Sequence, residues 1–278
     1  MMLLQAGQLG FTRMDSIWTD EIPPEMVSGA TMWIDFTDTT TLWSNTDFTG
    51  TNVTTDGASV GSAKNKIDTG IGLRKSSEPI LLKTPAANGS SAATFNTASV
   101  TARMELSNLL GAEATSTILT ASTKIIFAAV KATAAGVNQA LAPWFNDSVF
   151  ADSAGYFGLH LTDDSDPDGK LTANAYNYAA FASNTVSALF PRNAWVVLTM
   201  SHQSGQLRLR VNGGAWVTTT SGNTTSMDGQ GLVGHTPTSS ARNFDLAHLA
   251  TVNTSQTDAA ISAVEHWIAN DVGITPWW

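Results

Sequence analysis

Apolar residues along this chain fall into short runs separated by Gly, Asn, Ser, Thr and Asp. That rhythm predicts many short strands joined by turns, as in an all-β sandwich or barrel. Met32-Trp33-Ile34-Asp35-Phe36 is the first clear strand. Lys124 to Val130 lacks alternation, which predicts a fully buried strand. From Tyr156 to Thr162 the pattern alternates: Phe157, Leu159 and Leu161 share one face, and Tyr156, His160 and Thr162 the other. Leu171 to Tyr176 alternates again. A three-strand meander follows over Trp195–Met200, Gln206–Val211 and Ala215–Thr218, with turns at His202–Gly205 and Asn212-Gly213-Gly214. Within it Leu207, Leu209 and Val211 point inward, and Arg208 and Arg210 outward. Asn-Gly between alternating strands is a strong hairpin signal, because both residues tolerate positive φ.

The period changes once, near the end. Ile261, Val264 and Ile268 repeat at helical spacing, widened by Ala260 and Trp267, so Thr257 to Ala269 reads as an amphipathic helix. Thr257 or Ser255 can cap it, Asp258 suits the positive end of its dipole, and Asn270 and Gly273 are natural exits. A lone helix after many strands is expected to cover a sheet edge or face. Residues 1–27, ending at Pro23-Pro24, keep no period and read as an N-terminal docking arm. Residues 28–278 form the body.

Composition supports β-structure. Charged residues make up 13% of the chain, about half the usual share, so the polar surface must come from Thr, Ser, Asn and Gln. The net charge of −9 and the absence of any Lys/Arg cluster argue against a nucleic-acid partner. The chain contains no cysteine, so thiolate chemistry and disulfides are excluded. Met1 to Gly7 lacks the basic start and longer apolar core of an export signal, and no apolar run is long enough to span a bilayer.

Four pieces, in order, resemble the concanavalin A-like (laminin-G/pentraxin-like) jelly rolls. They are Trp33-Ile34-Asp35-Phe36-Thr37-Asp38; Thr94-Phe95-Asn96 with Met104 and Leu106; Trp195 to Val211 with Asn212-Gly213; and Phe244 to Val252 with Val264-Glu265-His266-Trp267-Ile268-Ala269 and Val272-Gly273-Ile274. The closing strand departs from the family pattern by placing His248 where a glutamate is usual. The resemblance implies an antiparallel β-sandwich of the jelly-roll type with one C-terminal α-helix. It further implies a module like those of bacteriophage virion proteins, such as capsid decoration proteins, head fibres and tail fibres. On that reading the protein is non-enzymatic and sits in the virion. It associates with other virion proteins and with itself, through arm residues Leu3, Leu4, Leu9, Phe11, Ile17 and Trp18. The alternative is a carbohydrate-binding module that recognises host surface glycans, with calcium as a possible aid.

The most acidic stretch, Asp163 to Gly169, contains Asp164-x-Asp166-x-Asp168-Gly169, the first half of a calcium loop. Ala175 stands where the loop needs a bidentate glutamate, and the flanks alternate like strands. The stretch reads as a hairpin turn, with calcium on Asp164, Asp166 and Asp168 as the alternative. The paired-carboxylate pattern of glucanases is missing, and Asp35 and Asp38, three apart, would point to opposite faces of a strand. Gly57-x-Ser59-x-Gly61 spells a nucleophile elbow without its strand and helix, and reads as a small-residue turn. Trp33 and Trp195 sit in strand patterns and are expected in the core. Trp144 and Trp216 are the candidates for a ligand platform.

Overall fold

The computed structural model describes residues 21–76, 79–97, 103–108, 123–134, 147–152, 157–162, 170–179, 182–221, 231–234 and 242–275. Two antiparallel sheets and one helix stack in three layers. The first sheet runs in the order β16 (Val217–Thr220), β15 (Gln206–Val211), β14 (Trp195–Gln203), β9 (Lys124–Ala134), β18 (Arg242–Val252), β7 (Ala92–Thr97), β6 (Ile80–Lys83) and β3 (Ser59–Val60). β1 (Ala30–Asp35) joins it beside the later half of β18. The second sheet runs β13 (Ala182–Phe190), β12 (Leu171–Ala179), β11 (Phe157–Thr162), β10 (Asp147–Asp152), β17 (Gly231–Val233), β8 (Met104–Asn108), β5 (Ile71–Lys75), β4 (Ser62–Lys64) and β2 (Leu42–Trp43). This is the all-β antiparallel sandwich expected from the strand rhythm.

The sheets face each other across an apolar core. Phe95 and Phe244 stack there with centroids 4.9 Å apart, and Phe157, Leu159, Leu161, Leu171 and Ala173 enter from the second sheet. The C-terminal helix, Asp258–Asp271, covers the opposite face of the first sheet. β9 therefore lies in the middle layer. Ile126, Ala128 and Val130 point into the sandwich, while Ile125, Phe127 and Ala129 point at the helix layer. Burial on both sides explains why this strand shows no alternation.

Local chemistry sets the turns. The β14–β15 hairpin closes on Ser204 (φ 52°) and Gly205 (φ 71°), and Asn212 (φ 51°) with Gly213 (φ 69°) follows β15. Two consecutive positive φ values match the right-handed twist of flanking strands. Thr257 caps the helix by accepting the Ala260 N–H at 3.2 Å, and Gly273 (φ 73°) follows its last turn. Trp33 is buried and Trp195 half-buried, both in the layer beneath the helix. Residues 21–29 lie against that layer as well: the Ile22 N–H donates to the Ala263 carbonyl, and Val27 is buried.

Candidate functional site

The helix docks through charge as well as through Ile261, Val264 and Ile268. Three of its carboxylates meet three basic side chains of the first sheet. Glu265 takes a two-point contact from Arg210, with Nε to Oε1 at 2.8 Å and Nη2 to Oε2 at 2.6 Å. Thr199 donates to the same carboxylate at 2.5 Å, and Arg210 also reaches Ser262 Oγ at 3.1 Å. Asp258 pairs with Arg208 Nη1 at 3.0 Å, and Asp271 with His248 Nε2 at 2.8 Å. Burial pushes the Glu265 carboxyl above its ordinary range, while the Arg210 charge and its hydrogen bonds pull it down. Arg208 and Arg210 do point away from the sandwich core, as the alternation predicts. They are not solvated, because the helix and Trp216 lie over them. The two guanidinium carbons sit 4.3 and 4.2 Å from the Trp216 ring, a cation–π arrangement.

The densest constellation surrounds His248. A bulge in β18 opposite Ala129 inserts Ala247, so that His248 turns to the helix side of the sheet. Its ring is wholly buried and completes a triangle with Trp33, 6.3 Å away, and Trp267, 5.5 Å away, whose own rings meet edge to face at 5.2 Å. His248 Nε2 faces Asp271, and Nδ1 lies 3.4 Å from both Trp33 Nε1 and Asp35 Oδ1. With the ring proton on Nε2, His248 donates to Asp271 and accepts from the Trp33 N–H. The hydrogen bond from His248, helped by the Thr37 side chain and the Lys66 charge, outweighs burial and holds the Asp271 carboxyl below its ordinary range.

Lys66 closes this constellation. Its Nζ bonds Asp35 Oδ2 at 3.0 Å and Asp38 Oδ2 at 3.1 Å, and lies 4.2 Å from the Trp33 ring. Burial works against the Lys66 ammonium, but Asp35 and Asp38 outweigh it and raise its pKa. Asp35 and Asp38 therefore do not diverge as two residues of one strand would. β1 ends at Asp35, whose Oδ1 takes the N–H groups of Thr37 and Asp38, and the turned chain brings both carboxylates to one ammonium. Among the described residues, no group of three or more His, Asp or Glu is placed to hold a metal.

A third surface lies on the outward face of the second sheet. His160, Asn174 and Ser187 are register neighbours on β11, β12 and β13. Asn174 donates to Thr162 Oγ1 at 3.0 Å and accepts from Ser187 Oγ at 2.6 Å. The result is a hydroxyl–amide ladder, solvated at Ser187 and Thr185.

Of the residues singled out by sequence, Asp164, Asp166, Asp168, Trp144 and the arm residues Leu3, Leu4, Leu9, Phe11, Ile17 and Trp18 lie outside the described residues. Trp216 is half-buried against its two arginines. Ser59 lies in the two-residue strand β3 and accepts from Lys75 Nζ at 3.1 Å, so the Gly57–Gly61 stretch is a turn only at Gly57 (φ 74°). The sequence pointed to His248 only as a departure from the family pattern. It gave no sign of the partners Lys66 and Asp271, or of the Glu265–Arg210 pair.

By fold the chain is an antiparallel β-sandwich with one C-terminal helix. No protein-family model and no curated protein matches it. Among solved structures it is similar to the binding domain of Paraclostridial Mosquitocidal Protein 1, with TM-score 0.55 and 9% identity over 77% of this chain and 52% of that one. It is also similar to the binding domain of botulinum neurotoxin DC in complex with rat synaptotagmin II, with TM-score 0.57 and 7% identity over 86% and 51%. The chain thus spans about half the length of these toxin domains. It matches nearly all of domain 4 of AbnA, a GH43 extracellular arabinanase from Geobacillus stearothermophilus, in complex with arabinotriose: TM-score 0.54 and 9% identity over 85% of this chain and 98% of that one. Identities this low mark a common fold.

Proposed function

We propose that this protein is a non-enzymatic binding module that recognises carbohydrate. The observation that carries the reading is the near full-length match to a domain solved with arabinotriose. The ladder is buried at Thr162 and opens to solvent at Asn174, Ser187 and Thr185, where hydroxyl and amide groups can donate to and accept from sugar hydroxyls. Fold alone does not assign function, so the reading stands on a binding measurement. The full chain should bind members of a glycan array that includes arabino-oligosaccharides, and Asn174→Ala should weaken that binding at least several-fold. A flat array overturns the reading. Repeating the array with chelator, together with a melting curve in EDTA, tests whether calcium takes part.

The bacteriophage virion reading, with its virion partners, rests on the sequence resemblance. Because residues 21–29 pack on the body, the informative truncation removes residues 1–20. A folded truncated protein that fails to enter particles supports an arm that docks on the virion; normal incorporation removes that role.

A further inference from the structure

Two open sheets leave edge strands, and natural sheets blunt their edges by keeping them short, charged, bulged or covered. Among the described residues, the outer strands β2 and β3 have two residues each and β16 has four, while β1, with six, is flanked on its free side by Asn65 and Lys66. β13 is different. It runs nine residues and pairs along its whole length with β12, and among the described residues no strand hydrogen-bonds its other side, although β15 and β16 pack nearby. Its sequence, Ala-Ser-Asn-Thr-Val-Ser-Ala-Leu-Phe, holds no charge and no proline, and its register with β12 contains no bulge. Thr185, Ser187 and Leu189 are exposed, and Leu189 shows 52% of its surface. A long, regular, uncharged edge offers a row of backbone donors and acceptors to another strand.

We propose that β13 is a dimerisation edge, pairing antiparallel with β13 of a second copy across a two-fold axis. Charge and symmetry select the occupant. Two copies of a chain with net charge −9 repel one another over most of their surface. Along Ala182–Phe190 they meet with no ionisable group on either side. A two-fold centred on Val186 pairs the strand with itself, as an isologous interface requires. Val186 then faces its own copy at the seam and extends the apolar core that it already lines. Thr185 faces the second copy's Ser187, a hydroxyl pair of the kind that stabilises neighbouring strands. The ladder through Asn174 and Ser187 continues across the seam into its counterpart.

The test needs no sugar ligand, so its outcome is independent of the carbohydrate reading. Light scattering of the full chain at tens of micromolar should give twice the 29.3 kDa chain mass. The variant T185K/S187K should give the single mass, because its lysines stay solvated in the monomer but crowd together across the seam. Its circular dichroism should match the parent, since both positions are exposed, while its melting should be independent of protein concentration where the parent's rises with it. As an independent check, T185C/S187C in this cysteine-free chain should form a disulfide-linked dimer on oxidation. A parent that stays monomeric overturns the proposal, as does a dimer that the lysines leave intact. A monomer whose β13 amides lose exchange protection only when residues 1–20 are deleted also overturns it, by placing the chain's own N-terminal segment on the edge.

Discussion

The first sheet has two faces, and they are held in different ways. Toward the second sheet it presents Ile126, Ala128, Val130, Phe244 and Leu246, a mainly hydrocarbon interface in which Lys124 is buried with its ammonium 5.0 Å from the Phe157 ring. Toward the helix it presents Ile125, Phe127 and Ala129 together with Arg210, Thr199 and His248, all buried. The apolar face gains stability from area and shape, and it tolerates any repacking that conserves volume. The helix face adds geometric demands, because a buried charge is costly unless its particular partner is in place. Helix position is therefore specified by pairs such as Glu265–Arg210, and not only by the width of an apolar stripe.

The sharpest way to break the contrast is to delete one member from each face. Phe244→Ala should cost about 3–5 kcal/mol by leaving a cavity, and no single second-site change should restore it. Glu265→Ala should cost a similar amount, about 3–5 kcal/mol, by leaving Arg210 buried and unpaired. Here the double variant R210M/E265L should recover most of the loss in denaturant titrations. Failure of that rescue would mean that the helix face depends on shape as strictly as the sandwich core does.

His248 provides an intermediate test. His248→Ala strips a partner from both the Trp33 N–H and Asp271, and should cost roughly 1–3 kcal/mol, with the loss visible in tryptophan fluorescence. A smaller loss would mean that water replaces the ring.

The subtlest test uses pH. The Asp271 carboxyl is held below its ordinary value of 3.8 in the folded protein. Its contribution is therefore present above that value and is lost as pH falls through the lower folded one. D271N should be less stable than the parent at neutral pH, and the gap should close below about pH 4. A gap that is constant with pH would assign the loss to packing.

The β architecture was legible because its signals are local. Asn212-Gly213 marks its turn by φ preference, and the silence of Lys124–Val130 marks a strand with no solvated side. The helix, expected over Thr257 to Ala269, runs from Asp258 to Asp271 with Thr257 as its cap, two residues longer at its C-terminal end. What escaped was which polar residues on apparently solvated faces are covered. Arg208 and Arg210 alternate just as exposed arginines would, and it is the helix together with Trp216 that covers them. The His248 constellation joins β1, the chain after β4, a bulge in β18 and the last turn of the helix. None of those meetings leaves a periodic trace in sequence, and the bulge shifts the very alternation by which His248 would have been placed.

The pairing of β1 with β18 sets Ala30 beside Val252. β18 is also the neighbour on which β7 and β9 close. A nascent chain stopped before residue 242 would hold three strands awaiting the same missing neighbour. The sandwich is thus expected to assemble only once β18 has been made, as high contact order requires, with chaperones guarding its unfinished sheet until that strand leaves the ribosome.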